Sequence, residues 1–500
     1  MTFVDFPILS ALIFFPLVSA VLIMVTLGQP ERVALNSRYL AFWGAGGHAL
    51  LALALLFVFD AEKQGYQFVE NVLWFAPFGI RYHLGVDGIS LGLVLLTSGL
   101  TLAALMCSGG LTHRVKEYMA AFMVLECFVT GALLSLDLVP FYIFFEGVLL
   151  PMFFIIGVWG GKERVYASLK FFLYTLAGSL LMFVALVVLY HETGSTDIIL
   201  IERAGVEPSL QMLLWLAFFA SFAVKLPIWP FHSWLPLAHV EAPAAGSMML
   251  AGILLKLGAY GFIRFSLPLF PDASVYFAPF MYALSVIAII YASMVAWQQE
   301  DMKRLIAYSS VAHMGYVTLG IFSFTVQGLQ GAMMQMISHG LLSAALFMGI
   351  GFLYHRVGSR DFAVYGGVAR VLPLFSVAMM VYTLGSVALP GTSGFVGEFM
   401  VLHGLWTAQH STWAVAAASG VVLSAVYMLV FYRRIFFGKQ GDKVATLAPL
   451  TWTERSLLVI FATLVVLLGL MPMLYLDTLQ GSSAQMAPLL DTLRAKAGGA

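Results

Sequence analysis

Charged side chains are scarce in this 500-residue sequence. Asp, Glu, Lys and Arg make up 10% of it, while 61% of the residues are hydrophobic. Soluble domains carry about 25% charged residues, so the composition excludes an ordinary water-soluble protein. The 25 basic and 25 acidic residues cancel to a net charge of zero, and the basic residues form no tract. We therefore expect no nucleic-acid partner.

Cysteine is almost absent as well. Cys107 and Cys127 both lie in apolar runs, and no CxxC motif occurs. Two separate thiols cannot hold an iron–sulfur cluster or a structural zinc ion by themselves. The histidines of the apolar runs have no histidine partner four residues away. The sequence therefore predicts no metal site, and the cysteines are expected to be small buried side chains.

Long apolar runs dominate the chain instead, and a membrane-spanning helix needs about 20 such residues. The first run has no basic residue before it, unlike a secretory signal, so we interpret it as a retained span. The pattern predicts an all-α polytopic membrane protein with about 14 transmembrane helices, near residues 8–27, 40–59, 89–108, 119–136, 138–158, 168–190, 209–239, 246–268, 277–297, 304–323, 327–353, 371–406, 413–432 and 455–476.

The distribution of basic residues orients these spans, because loops on the inner side of a membrane are enriched in Lys and Arg. If both termini lie outside, 17 of the 25 basic residues fall in inside loops and 5 in outside segments, so we predict that both termini are outside. Asp137 falls at a span end, where we expect it to be solvated, and Lys303 and Arg304 are interpreted as the ordinary inside flank of the tenth span. The other three basic residues lie within spans: Lys225, Lys256 and Arg264.

The two longest predicted spans, the seventh and the twelfth, share a Val-x-Leu-Pro motif that ends at Pro227 and Pro390. Proline removes a helical hydrogen bond, so both spans should be discontinuous. The two prolines are five predicted spans apart, which predicts two inverted five-helix repeats as in secondary transporters. Unrelated proline kinks are the alternative. The predicted domains are spans 1–3 (residues 1–118), the two repeats (119–268 and 277–437) and a C-terminal span with a tail (438–500).

Ionisable side chains inside the spans are the candidate functional residues, because a charge at the bilayer centre costs about 2.5–3.5 kcal/mol on insertion scales. The main candidates for proton transfer are Glu146, Lys225, Lys256, His313, His339 and Glu398. Four further residues fit either a proton-uptake or secondary role or a plain structural one: Glu126, His232, His239 and Glu241.

Desolvation is the reason that such groups suit proton transfer. Burial disfavours the charged form of a side chain, and a nearby opposite charge restores it. Two unit charges about 4 Å apart interact by about 4 kcal/mol at an effective dielectric constant of about 20. Movement of Glu146 towards or away from Lys225 would therefore load a proton onto Lys225 or unload it. The alternative is a static ion pair that only holds two helices together.

Three segments resemble a known family: FEGVLLPMF at 145–153, KLPIWPFHSWLP at 225–236 and DMKRLIAYSSVAHMG at 301–315. They are similar to the antiporter-like membrane subunits of respiratory complex I, NADH:quinone oxidoreductase, and the resemblance covers nearly the whole chain. The family also contains subunits of Na⁺/H⁺ antiporters and of membrane-bound hydrogenases. Complex I contains several paralogous chains of this family, among them chains L and N. Two features set this sequence apart from those two: the LPMF after Glu146, and the acid Glu398 at a position where chains L and N typically carry a lysine.

The resemblance implies a proton-translocating subunit driven by redox energy from its partners. Glu146 and Lys225 would form the coupled pair of the first half-channel, and Lys256 would be the central relay. His313 and His339 would continue the path towards Glu398, the site nearest the exit to the positive side.

The resemblance also implies that FMN, iron–sulfur clusters and quinone are bound by partner subunits and not by this chain. Its neighbours would be chains L and N. Because the sequence is rich in glycine and alanine, we favour a bacterial inner membrane, with both termini on the periplasmic side. Three alternatives remain: a stand-alone cation/proton antiporter subunit, a membrane scaffold, and a quinone-reducing chain, which lacks support from any cofactor motif.

Overall fold

The computed structural model describes residues 6–441 and 443–498, and most of them are helical. The parts of the predicted terminal domains at residues 1–5, 442 and 499–500 lie outside the described residues. The N-terminal half contains a β-hairpin and thirteen helices: α1 (Ile8–Val25), α2 (Pro30–Val58), β1 (Gln67–Phe75), β2 (Ile80–Val86), α3 (Gly88–Cys107), α4 (Val115–Leu134), α5 (Leu138–Gly147), α6 (Leu149–Trp159), α7 (Arg164–Thr193), α8 (Ile198–Ala204), α9 (Pro208–Lys225), α10 (Trp234–Glu241), α11 (Ala244–Met249), α12 (Leu255–Gly261) and α13 (Leu267–Leu269).

The rest of the described chain is entirely helical apart from its connections. Its helices are α14 (Pro271–Trp297), α15 (Met302–Phe322), α16 (Val326–Val357), α17 (Val368–Val371), α18 (Pro373–Ser386), α19 (Ser393–Thr407), α20 (Ser411–Phe436), α21 (Trp452–Leu470), α22 (Met473–Leu476) and α23 (Gln480–Gly498). Short 3₁₀ turns occur at Ala76–Phe78, Phe362–Val364 and Asp477–Leu479.

Thirteen helical segments of the described chain are long and apolar enough to cross a membrane. They correspond to thirteen of the fourteen predicted spans, which confirms the polytopic all-α class. The remaining span is the twelfth, which is divided into α18 and α19, two helices of 14 and 15 residues. Each is too short to cross a bilayer by itself, because a helix rises only about 1.5 Å per residue.

Both predicted helix breaks are present and occur at the Leu-Pro motifs. The seventh span ends its first helix at Lys225 and resumes at Trp234, and the twelfth stops at Ser386 and resumes at Ser393. The second break includes Ala388 with a φ of 61° and Gly391 with a φ of 91°. Backbone groups freed at such breaks must find partners within the protein, because lipid offers none.

The eighth span has a feature that hydropathy did not predict. Between Ala244 and Leu269 the helix contains two π-helical segments, Leu250–Leu254 and Phe262–Ser266, on either side of Lys256. A π-turn widens the helix locally and leaves the regular hydrogen-bond pattern, and such turns are frequent at functional sites.

The antiparallel hairpin β1–β2 was also not predicted. It pairs Gln67 with Val86 and Phe75 with Ile80. The strands contain β-branched and aromatic residues, but they lie between spans, where a hydropathy window of about 20 residues resolves no strands. The hairpin fills a segment that the sequence analysis treated only as an outside loop.

Isolated β-bridges recur at a constant spacing, as expected for internal repeats. One bridge joins Asp137 to Asp197, and another joins Asp301 to Asp361. Asp301 follows Asp137 by the same number of residues as Asp361 follows Asp197. Each partner of the first bridge therefore has a counterpart in the second. Each bridge therefore occupies an equivalent position in its own part of the chain.

The ends of the long helices α7 and α16 show the same offset. Each helix is followed by a glycine with positive φ, at 69° for Gly194 and 74° for Gly358. The separation of these glycines equals that of the bridging aspartates and nearly equals the separation of Pro227 and Pro390. The local structure thus repeats in step with the two Leu-Pro breaks.

The chain forms two compact units. One contains the residues up to Leu226, together with Ile253–Phe277 and the residues from Thr478 onward. The other contains Pro227–Gly252 and Ala278–Asp477. The helix break after Lys225 therefore coincides with a change from one unit to the other.

A buried ion pair lies in the interior of the first unit. The Arg264 guanidinium contacts the Asp87 carboxylate, and its Nε donates to the Tyr260 hydroxyl at 3.2 Å. Both charged side chains are buried. Asp87 also caps α3 by accepting from the Ser90 amide. A buried pair of this kind contributes little net stability, but removal of one partner leaves an uncompensated charge.

We therefore predict that Asp87→Asn destabilises the protein by about 3–5 kcal/mol, because the asparagine can still cap α3 but leaves Arg264 unpaired. The measurement is the thermal midpoint of the purified protein and its yield in membranes. Asp491→Asn is the control, because Asp491 forms an exposed pair with Arg494 and such pairs contribute about 0–1 kcal/mol. Equal effects of the two substitutions would contradict this account of Arg264.

Candidate functional site

Lys225 is the last residue of α9 and lies at the centre of the first candidate site. Its Nζ donates to the Phe145 carbonyl at 2.6 Å and lies 3.3 Å from the centroid of the Phe145 ring. The side chain is only 4% exposed. Phe145 belongs to the last turn of α5, where carbonyls lack helical partners and attract cations. The ammonium is thus held by a carbonyl and an aromatic face.

Glu146 follows Phe145, so the α5 helix brings it close to Lys225. Helix α5 ends at Gly147 because Pro151 has no N–H to offer the Gly147 carbonyl. The charges of Glu146 and Lys225 interact, yet Lys225 bonds the Phe145 carbonyl. Glu146 Oε1 is buried and has no hydrogen-bond partner in the part of the chain that the structure describes. The two predicted partners are therefore adjacent without a direct bond.

Lys256 lies on α12 and is completely buried. Gly258, two residues later, allows α12 to pack against the end of α9. A Cβ atom at Gly258 would come within 2.7 Å of the Phe222 carbonyl and 2.8 Å of the Leu226 amide. The absence of a side chain at this position thus brings the helix that carries Lys256 against the break beside Lys225.

Glu126 has a partner that the sequence analysis missed. Its Oε1 lies 2.9 Å from Nδ1 of His48, and both side chains are fully buried. The Ser98 hydroxyl lies 3.0 Å from the same nitrogen, and the Thr130 hydroxyl lies 3.3 Å from Nε2. His48 is a histidine within a predicted span, like His313, so the criterion applied to the other candidates would have found it.

A second cluster forms in the other unit around Glu398. Oε1 of Glu398 lies 2.9 Å from Nδ1 of His313 and accepts from the Gln335 amide at 3.1 Å. Nε2 of His313 lies 3.2 Å from the Ser386 hydroxyl. The rings of His313 and His339 are 5.6 Å apart. The structure thus brings together three predicted residues and two that were missed.

These residues come from four helices: α15, α16, α18 and α19. Part of the cluster lines a small cavity formed by Ile306, Ser309, His313, Gln335, His339, Leu342, Ser343, Leu346, Gly385 and Ser386. Gln335 and Ser386 carry no charge, so a search for buried ionisable residues could not select them. Their polar atoms become informative only when tertiary packing places them beside His313 and Glu398.

Three of the four residues with a proposed uptake or secondary role lie on or just before α10. His239 stacks on Phe347 at 4.4 Å with nearly parallel rings. The His232 ring lies 5.6 Å from that of Tyr291. Glu241 is buried at the end of α10. Their aromatic contacts and burial fit a structural role as well as they fit proton uptake.

Asp137, which was expected to be solvated, and Lys303, which was expected to flank a span on the inner side, are both buried. Lys303 is 4% exposed, and its Nζ donates to the Ala242 carbonyl at 2.6 Å. Asp137 is completely buried and accepts from the Thr196 hydroxyl at 2.8 Å. Burial raises the pKa of Asp137. The expectation was wrong because segments between spans fold back over these positions and exclude solvent.

Asp197, the bridge partner of Asp137, behaves differently. Burial alone would raise its pKa, but the hydrogen bond and charge of His83 and the amides of Ile199 and Leu200 hold that pKa below its usual range. His83 Nδ1 lies 2.6 Å from Asp197 Oδ2. His83 belongs to the hairpin, so this contact secures β2 against the start of α8.

Comparison with known proteins supports the family resemblance. Residues 135–424 match the family model described as NADH:quinone oxidoreductase/Mrp antiporter, TM. The chain is 47% identical over 495 residues to NADH-quinone oxidoreductase subunit M of Rhodobacter capsulatus, covering 96% of both chains. It is 44% identical to NADH-ubiquinone oxidoreductase chain 4 of Marchantia polymorpha, again covering 96% of each.

Solved structures with the same fold include one in respiratory complex I from Thermus thermophilus with bound NADH. That likeness has a TM-score of 0.87 and 27% identity and covers 96% of this chain and 99% of the other. A chain in the Mrp complex from Dietzia sp. has a TM-score of 0.84 at 22% identity over 99% of both chains, which shows a shared fold. The chain therefore belongs to the NADH:quinone oxidoreductase/Mrp antiporter family of membrane subunits.

Proposed function

We propose that this chain translocates protons across the membrane as a subunit of NADH:quinone oxidoreductase, using redox energy that its partner subunits release. The relatives that carry this name match it over nearly their whole length. The observation that carries the proposal is the arrangement at Lys225. The buried Lys225 ammonium is held by the Phe145 carbonyl, while Glu146, the next residue after Phe145, interacts with it electrostatically and has one buried oxygen without a hydrogen-bond partner among the described residues.

This arrangement provides two positions for one positive charge. In the first, the Lys225 ammonium rests on the Phe145 carbonyl and ring. In the second, it forms an ion pair with the Glu146 carboxylate. An ion pair at about 4 Å is worth about 4 kcal/mol at an effective dielectric constant of about 20, and one pKa unit corresponds to about 1.36 kcal/mol. A small displacement of either helix therefore changes how tightly Lys225 holds its proton.

The remaining buried groups complete the proposed route. Lys256 relays the proton after Lys225, and His313 and His339 receive it in the second cluster. Glu398 then acts as the final site before release to the positive side. Support comes from the burial of both lysines and from the direct contact between His313 and Glu398.

The chain itself is proposed to contain no redox centre. Its two cysteines lie on different helices, Cys107 at the end of α3 and Cys127 within α4. FMN, the iron–sulfur clusters and quinone would then be bound by partner subunits, with the antiporter-like chains L and N as direct neighbours.

The repeats are proposed to span residues 119–268 and 277–437, with support from the recurring aspartate bridges.

We predict that Glu146→Gln and Lys225→Ala each reduce NADH-driven proton translocation to below about a tenth of the wild-type rate, since losing about 1.36 kcal/mol or more costs at least tenfold. Each substitution removes one member of the Glu146–Lys225 pair. The measurement is quenching of a pH-sensitive dye in inside-out vesicles that contain the whole complex. NADH oxidation by a soluble acceptor reports assembly.

Glu31→Gln is the matched control, because Glu31 is an exposed carboxylate in the first turn of α2. It should translocate protons at the wild-type rate. An assembled Glu146→Gln complex that also pumps at the wild-type rate would refute the role of this carboxylate.

We propose further that both termini face the positive, periplasmic side. The 17-to-5 distribution of basic residues supports this orientation. Alkaline phosphatase fused after the last residue should be active, because that enzyme folds only outside the cytoplasm. The same enzyme fused after Gly438, between α20 and α21, should be inactive. The reverse pattern would overturn the orientation.

A further inference from the structure

Two neutral side chains, Ser386 and Gln335, contact the two titratable groups of the second cluster. The Ser386 hydroxyl lies 3.2 Å from His313 Nε2, and the Gln335 amide donates to Glu398 Oε1 at 3.1 Å. Both side chains are buried. Resting on the proposed function, we infer that Ser386 and Gln335 are positioning residues that direct proton transfer from His313 to one oxygen of Glu398.

The hydrogen bonds of His313 define which nitrogen faces which partner. Nδ1 lies 2.9 Å from Glu398 Oε1, and a carboxylate only accepts, so Nδ1 carries the proton. In the neutral imidazole Nε2 is then an acceptor and receives the Ser386 hydroxyl proton. A hydroxyl both donates and accepts, so the same Ser386 oxygen also accepts from Nε2 once that nitrogen is protonated. Ser386 therefore keeps the ring in place in either protonation state.

Gln335 acts on the carboxylate. Its Nε2 and the His313 Nδ1 both approach Oε1 of Glu398, so two N–H donors converge on one oxygen. Gln335 thereby orients the carboxylate so that Oε1 faces His313 Nδ1 and is the oxygen that receives the proton. Gln335 Oε1 itself is buried with no hydrogen-bond partner among the described residues, so the amide is placed for its N–H and not for its carbonyl.

Close packing holds the amide in this position. A Cβ atom at Gly397, next to Glu398, would lie 2.6 Å from Gln335 Oε1 and 2.8 Å from its Cα. A Cβ atom at Gly394 would lie 2.1 Å from the Gly385 carbonyl, which precedes Ser386. Side chains at these glycines would push α19 away from α16 and α18. The small residues therefore bring both positioning groups within hydrogen-bond distance.

The transfer step conserves protons and charge. A proton that binds Nε2 of His313 produces the imidazolium ion. The N–H bond at Nδ1 then breaks while an O–H bond forms at Oε1 of Glu398. The ring is left neutral with its proton on Nε2, and the Nε2–H group donates a hydrogen bond to the Ser386 oxygen. One proton enters the pair and one resides on Glu398.

Other titratable groups also face this pair. His339 on α16 lies beside the His313 ring. Tyr316 on α15 and Tyr427 on α20 interact electrostatically with Glu398. The Tyr316 hydroxyl is held by the Ala417 carbonyl at 2.8 Å. Neither tyrosine is within hydrogen-bond distance of Glu398 among the described contacts, so the pH response should depend mainly on His313, Glu398 and their two neutral partners.

The test is the pH profile of NADH-driven proton translocation in inside-out vesicles that contain the whole complex. Gln335→Leu removes one of the two N–H groups that converge on Oε1 of Glu398. The pH profile should therefore differ from that of the wild-type complex, and the rate at its maximum should fall by about tenfold. NADH oxidation by a soluble acceptor should be unchanged.

Ser386→Ala should reduce the maximal rate by about tenfold, and Ser386→Thr, which retains a hydroxyl, should restore most of it. The matched control is Ser338→Ala. Ser338 is buried on α16, and its hydroxyl bonds that of Ser393 at 2.8 Å without touching His313 or Glu398. This control removes a buried hydrogen bond from the same region and should leave the pH profile unchanged.

The outcomes separate this inference from the proposed function. If Glu398→Gln abolishes translocation while Gln335→Leu and Ser386→Ala keep the wild-type profile, the two residues have no positioning role and the inference fails alone. A Ser338→Ala variant that shifts the profile as much as Gln335→Leu would also overturn it. If Glu398→Gln translocates protons normally, the proposed role of Glu398 is refuted, and the inference about Ser386 and Gln335 is refuted with it.

Discussion

The backbone hydrogen bond is the constraint on which this structure depends, because lipid offers no partners for free N–H and C=O groups. Most of the described chain meets it with continuous helices. At the two Leu-Pro motifs, however, proline prevents the helix from continuing, and polar groups inside the protein must compensate. Lys225 lies where the first of these breaks begins, and its ammonium bonds a carbonyl in the last turn of another helix, α5. The helix break thus leaves an ionisable side chain at the end of α9, inside the protein.

Glycine determines how closely the helices approach at these points. Gly258 lets α12 pack on the end of α9, and Gly397 lets α19 pack on Gln335. Each close approach places a titratable group beside a neighbour: Lys256 near the break after Lys225, and Glu398 near His313. The positions of these titratable groups therefore depend on residues that have no functional group of their own.

The two clusters differ in how their charges are arranged. In the first, the Lys225 ammonium bonds the Phe145 carbonyl, and the neighbouring Glu146 has a buried oxygen without a hydrogen-bond partner among the described residues. In the second, His313 and Glu398 are in contact, and two neutral side chains bond to them. The two clusters therefore hold their ionisable groups in different arrangements, although the backbone features around them recur at a constant spacing.

The sequence by itself determined the spans, both helix breaks and the main buried ionisable residues, because hydropathy and proline act locally. Composition excluded a soluble protein, and the motifs around Glu146, Lys225 and His313 indicated the family. Only the tertiary structure decided which side chains meet. It paired His48 with Glu126, buried Lys303 and Asp137, and placed Gln335 and Ser386 beside the charged groups. These contacts join residues as distant in the sequence as His313 and Glu398, and helix packing sets them. Neutral polar residues in particular look ordinary in a sequence, since their importance comes entirely from the partners that packing gives them.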